Sequence, residues 1–233
     1  MDKKFLNSFG LNWLVLLLSL IVCPSFVWAE GDRQDFTSSV DFTVSKKFFK
    51  RLEVGLTESF SLRENSTELD KFYTKANVSY NVIKGVLKAG AEYYMIGKAD
   101  KRDDIYLNHR YAGYLRVKKD AGRFSFGLKS KFQVTYRPEK KPEKRYADFW
   151  RNKLYVSMKV PKIPLYPSLA AECFFRTDDY QGNNVEKIRY EVGTKYMFNK
   201  HNSLQAKFRY DDGMNVANPK DVFSVVLSYG LSL

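Results

Sequence analysis

The chain has 233 residues, 44% hydrophobic and 16% aromatic, with 39 Lys and Arg against 26 Asp and Glu, a formal net charge of +13. The only histidines and cysteines are His109, His201, Cys23 and Cys173, so once Cys23 leaves with the N-terminal segment described next, a His/Cys metal site has too few ligands. A balance this basic points to nucleic acid or to an anionic surface.

The N-terminus reads Met1-Asp2-Lys3-Lys4, then an apolar run from Leu11 to Val22, then Val27-Trp28-Ala29 with small residues where a signal peptidase reads. This predicts a secretory signal peptide over residues 1–29 and a single mature domain over residues 30–233. A lipoprotein signal at Cys23 is the competing reading, and Val22 stands where that signal places a small residue. The run is short of the ~20 residues of a spanning helix. Loss of Lys3, Lys4 and Asp2 lowers the charge to +12 and loss of Cys23 leaves Cys173 alone, so no intramolecular disulfide forms. Export favours the anionic surface over nucleic acid.

The mature chain alternates from its start. Phe36, Val40, Phe42 and Val44 lie between Thr37, Ser39, Asp41 and Thr43, up to Lys46-Lys47. A second strand runs from Arg51 to Arg63 with Leu52, Val54, Leu56, Phe60 and Leu62 on its oily face, which Glu58 interrupts. Phe72 to Val82 follows, then a tight turn at Lys84-Gly85 and a strand from Leu87 to Met95. Ile105 to Tyr136 is the clearest hairpin. Leu107, Tyr111, Leu115 and Val117, then Phe124, Phe126, Leu128 and Phe132, line one face, while Arg110, Arg116, Lys129 and Lys131 line the other. Period two over so many residues is a strand signal. After a basic loop from Arg137 to Asp148 come Trp150 to Val160, a proline turn at Pro161, Pro164 and Pro167, and Leu169 to Phe175. The loop Thr177–Glu186 precedes Ile188 to Phe198. Leu204 to Tyr210, the loop Asp211–Asp221 and Phe223 to Leu233 complete the chain.

Eleven strands are visible, with short and long connections alternating as in outer-membrane barrels. Single-chain bacterial barrels carry an even number. The expectation is therefore an all-β, transmembrane, antiparallel up-and-down barrel of twelve strands, with one hidden near the N-terminus, or of ten, with the first segment outside the wall. A soluble barrel would turn the oily face inward, but several large apolar residues on every strand would overfill so small an interior. Turned outward they make the band that lipid requires, and no Lys or Arg interrupts its middle. The predicted location is the outer membrane of a Gram-negative bacterium.

The run Arg110 to Arg137, the segment Arg151 to Phe175 with Glu172 near its end, and the stretch Ile188 to Lys200 (Ile-Arg-Tyr-Glu-Val-Gly-Thr-Lys-Tyr-Met-Phe-Asn-Lys) together resemble the exported family catalogued as domain of unknown function 2490. The resemblance covers nearly all the mature chain. It implies an outer-membrane β-barrel of unassigned activity and brings no catalytic residues. The ending Ser228-Tyr229-Gly230-Leu231-Ser232-Leu233 is similar to a signal for the barrel-assembly machinery, without the usual terminal aromatic.

Three functional readings follow. In the first, Arg110, Arg116, Lys129, Lys131, Arg151, Lys153, Arg189, Lys195, Lys207 and Arg209 face inward with the acidic partners Glu53, Glu92, Glu172 and Glu191. They line a narrow channel for anionic solutes, or pair off and plug it. In the second, the barrel is a structural or interaction subunit that contacts lipopolysaccharide or other outer-membrane proteins. Glu58 on the oily face and the loop cations Lys140, Lys141, Lys144 and Arg145 are its contacts, and a solvated charge run is the plain alternative for the loop. In the third, His109, Ser130 and Asn152 on the oily face form a lipid-face hydrolase. Pairing Val117 with Phe124 would set His109 diagonal to Ser130, ~7–8 Å away at the backbone. No cofactor, metal or nucleic acid is expected.

Overall fold

The structure is a computed structural model that describes residues 34–100, 104–178, 184–216 and 219–233; the predicted signal segment lies outside the described residues. Among the described residues eleven strands form one closed barrel: β1 (Gln34–Phe48), β2 (Leu52–Arg63), β3 (Glu68–Ile83), β4 (Leu87–Ala99), β5 (Ile105–Ala121), β6 (Phe124–Tyr136), β7 (Tyr146–Met158), β8 (Leu165–Arg176), β9 (Val185–Met197), β10 (Asn202–Gly213) and β11 (Asp221–Ser232). Consecutive strands pair antiparallel, and β1 closes on β11 in a parallel ladder from Gln34↔Asp221 to Ser45↔Ser232. Eleven strands fall within the expected ten to twelve, and the parallel closure departs from the expected wholly antiparallel wall. Strands that alternate up and down leave the first and last of an odd set pointing the same way, so their shared ladder has to be parallel.

One end of the barrel, the turn end, carries the connections 49–51, 84–86, 122–123, 159–164 and 198–201. The other, the loop end, carries 64–67, 100–104, 137–145, 177–184 and 214–220. Gly85 (φ 78°) and Gly122 (φ 61°) supply the left-handed backbone of two turns. The parallel seam is fastened on both faces. Inside, Thr37 Oγ1 donates to Ser224 Oγ (2.7 Å) and Ser228 Oγ to Asp41 Oδ2 (3.1 Å). Outside, Phe42 stacks on Tyr229 with ring centroids 5.7 Å apart.

Period two decides which side chains go where. The outward positions are large and apolar and stay exposed, as at Phe60, Leu115, Phe132, Leu154 and Leu169. The inward positions are polar and buried, as at Ser59, Asn108, Lys131, Gln133 and Glu172. Several expected boundaries move. The β5–β6 turn is tighter than expected, so Val117 pairs with Leu128 rather than Phe124, an even shift that keeps each residue on its face. Strand β10 runs through Asp211 to Gly213, where a loop was expected, and Pro167 lies inside β8 rather than in the turn. The ladder of β8 with β7 stops at Ser157↔Ser168, so Pro167 sits where β8 has no β7 partner and withholds no hydrogen bond on that side.

Two inward glycines make room for tyrosines. A Cβ on Gly90 or Gly127 would collide with the ring of the cross-strand residue Tyr114 or Tyr155. Each ring lies over bare backbone, and Lys129 Nζ rests 3.8 Å from the centroid of Tyr114. Replacement of Gly127 by Val is expected to displace Tyr155 and lower stability by about 1–3 kcal/mol through overpacking. Urea unfolding of the refolded protein measures it, and a midpoint equal to wild type would show that the ring has another place to go.

Candidate functional site: a charged and filled lumen

The inward face of β4 to β10 collects the charges. One cross-strand row reads Lys88, Arg116, Lys129, Lys153, Glu172, Arg189 and Asp211 in successive strands. Four cations stand side by side in it. Like charges directly opposite repel, so stability requires acids from adjacent rows. Glu53 accepts from Lys88 Nζ (2.9 Å), Glu92 from Lys129 Nζ (2.9 Å), and Glu191 from Lys153 Nζ (3.0 Å).

The clusters are dense. Glu92, 8% exposed, also accepts from Lys131 Nζ (3.2 Å) and the Tyr94 hydroxyl (2.8 Å). Arg110 donates through Nε to Thr135 Oγ1 (2.9 Å) and lies over the Tyr94 ring. Arg151 bonds Glu172 through Nε (2.9 Å) and Gln133 through Nη1 (2.9 Å), with Phe174 beneath its guanidinium. Glu191 receives Arg209 Nε at 2.8 Å and lies 3.8 Å from Lys207 Nζ. Asp211 holds Arg189 (2.6 and 2.7 Å) and Lys187 (2.7 Å).

The four predicted acids are thus all ion-paired, with most of the expected cations gathered round them or round Asp211, but Arg110, Arg116 and Lys195 have no carboxylate within ion-pair distance among the described residues. Asp211, Lys187 and Tyr94 were absent from the predicted set. Asp211 was readable, because it continues the inward phase of Gln205, Lys207 and Arg209; its place beside a Gly and Asn-rich stretch suggested a loop instead. It serves as a buried counter-charge.

The opposite side of the lumen, β11, β1 and β2, is lined by hydroxyls, among them Thr43 and Thr57, whose oxygens are 2.9 Å apart. At mid-strand the lumen is filled: Lys131 is 7% exposed, and Gln133, Thr135, Glu172, Glu191, Ser59 and Val226 are also buried.

The oily-face candidates separate. Ser130 lies opposite Leu115 and Asn152, and its Oγ accepts from Trp150 Nε1 (2.8 Å). His109 lies opposite Tyr136, far up β5 from Leu115, and bonds Tyr93 Oη through Nδ1 (2.8 Å). The predicted diagonal contact of His109 with Ser130 does not form, because the tighter turn carries the two residues apart. Glu58 is partnered on the exposed face by Thr74 Oγ1 (2.9 Å). In the loop, Lys140, Lys141 and Lys144 are exposed, while Arg145 Nε bonds Lys140 O (3.3 Å) and Arg137 Nη2 bonds Lys144 O (2.9 Å). Two arginines therefore hold the backbone of the basic loop in shape.

Residues 39–220 match the family model described as protein of unknown function (DUF2490). No curated protein matches the chain.

Replacing Glu92 by Leu leaves buried Lys131 and half-buried Lys129 without their carboxylate and is expected to cost about 3–5 kcal/mol. The double variant Glu92→Leu, Lys131→Met should recover part of that loss. Equal unfolding midpoints for the single variant and wild type would show that Glu92 neutralises nothing.

Proposed function

The chain belongs to the DUF2490 family of proteins of unknown function, and from its own wall and lumen we propose that it is a β-barrel of a bacterial outer membrane, with a filled lumen, acting as a scaffold that presents its loops to other outer-membrane components. The observation that carries this reading is the inversion of polarity. Leu115 and Leu154 are 55% and 64% exposed on the outer wall, whereas charged Glu92 and Lys131 are buried inside. Isolated apolar side chains are normal on a soluble surface, but a continuous apolar wall is not. Lipid removes that wall from water, and the outward aromatic pairs Phe208–Phe223 and Tyr190–Tyr210 are of the kind that line membrane interfaces.

Leu115, in the middle of β5, discriminates bilayer from water. In a bilayer, Leu115→Arg costs about 2–4 kcal/mol at the midplane. At an exposed site of a soluble barrel it costs about 0.5 kcal/mol or less. Unfolding in lipid vesicles measures the difference, and a neutral result would remove the membrane reading.

A second reading, a narrow anion channel, is supported by Arg116, which stands between Lys88 and Lys129 with no carboxylate at ion-pair distance among the described residues. Planar-bilayer recording separates the two. The filled lumen predicts a silent barrel. Steady anion-selective steps, lost in Arg110→Ser and Arg151→Ser variants, would replace the scaffold by the channel. The proposal includes no catalysis.

A further inference from the structure

A cavity of about 400 Å³ opens in the loop-end mouth of the barrel, between the ends of β2 and β4, the start of β5 and the segment after β6. Its charged and polar lining includes Arg63, Lys98, Asn108, Arg137, Glu139 and Lys140. Seven buried side-chain polar atoms make no hydrogen bond among the described residues, and three of them, Arg63 Nε, Asn108 Oδ1 and Arg137 Nε, belong to this lining. Buried polar atoms are nearly always satisfied, so their concentration at one cavity marks a place shaped for something else.

We propose that this cavity binds a phosphate monoester carried on a sugar, with Arg63, Arg137, Lys98 and Lys140 around the phosphate and Asn108 accepting from a sugar hydroxyl.

Both arginines are set in advance. Arg63 spends Nη1 on Ala99 O (3.2 Å) and Nη2 on Asp100 O, and its Nε lies 3.4 Å from Glu68 Oε2 without a hydrogen bond. Arg137 spends Nη2 on Lys144 O (2.9 Å) and Tyr146 O (3.2 Å). The guanidinium planes are thereby fixed, while neither Nε–H is spent on a hydrogen bond and that of Arg63 faces Glu68 at ion-pair distance, an arrangement that favours oriented recognition of phosphate oxygens. Four cations against the carboxylates of Asp100 and Glu139, and of Glu68 beside Arg63, leave the site net positive. Asp100 Oδ1 is engaged by the Asp104 N–H (3.1 Å). A phosphate monoester carries about −1.5 to −2 charges near neutral pH, which suits that surplus. Asn108 Oδ1 is an acceptor and repels an anion, so it calls for a donor on the same ligand, and a sugar hydroxyl supplies one.

The inference rests on the cavity and not on the membrane reading, since a soluble barrel would keep the same mouth. The test titrates the folded full-length chain in detergent with glucose 6-phosphate, inorganic phosphate and lipopolysaccharide, with and without phosphatase treatment. Glucose 6-phosphate is expected to bind more tightly than inorganic phosphate, and Asn108→Ala to erase that preference. Lys98→Gln with Lys140→Gln, which breaks no side-chain hydrogen bond, and Arg63→Gln with Arg137→Gln are each expected to weaken binding about tenfold or more. Binding of free sugar phosphate identifies a soluble source. Binding confined to phosphorylated lipopolysaccharide identifies a lipid headgroup. Failure of wild type to bind any of the three, or affinity unchanged in both double variants, overturns the proposal.

Discussion

Neutralisation of charge at close range is the condition on which this barrel depends. Its inward face carries a run of adjacent cations in Lys88, Arg116, Lys129 and Lys153, an arrangement that would push the strands apart in a low-dielectric interior. Glu53, Glu92 and Glu191 offset that effect because each reaches a cation of the run two strands away, while Asp211 neutralises Lys187 and Arg189 on the adjacent strand. Glu191 alone meets Lys153, Lys207 and Arg209. A buried pair broken on one side costs more than the intact pair contributes. The network therefore resists single changes, and it ties β4 to β6 and β7 to β10 independently of the backbone ladders.

The remaining inward surface is of a different kind. Around the parallel seam small hydroxyl residues and Asp41 replace the charges, and their direct hydrogen bonds across β1 and β11 close the wall without long side chains. The outer wall shows the complementary solution, with aromatic pairs across the same seam and elsewhere. Charged ballast on one side of the lumen and hydroxyls on the other leave the middle packed. At the loop end the packing loosens into a cavity.

That cavity and the lumen beneath it share one basic character but differ in satisfaction. Most lumen cations have a carboxylate partner, so they serve the fold. The cavity arginines spend their terminal nitrogens on backbone carbonyls and keep Nε unbonded, a division of labour that shapes loop and site together.

The sequence by itself determined the local rules. Period two placed Phe, Leu and Val on one face and Lys, Arg and Glu on the other, and this survived the register change at β5–β6, because an even shift keeps every side chain on its face. Eleven strands were countable, as were the four acids and nearly all their cations. Distances around and across the barrel were decided only by the tertiary structure. The parallel seam, the separation of His109 from Ser130 and the convergence of Arg63, Asn108 and Arg137 each depend on which residues closure brings opposite one another. Alternation specifies a face, whereas closure and turn length specify the neighbour on that face, and the second is a property of the whole ring of strands.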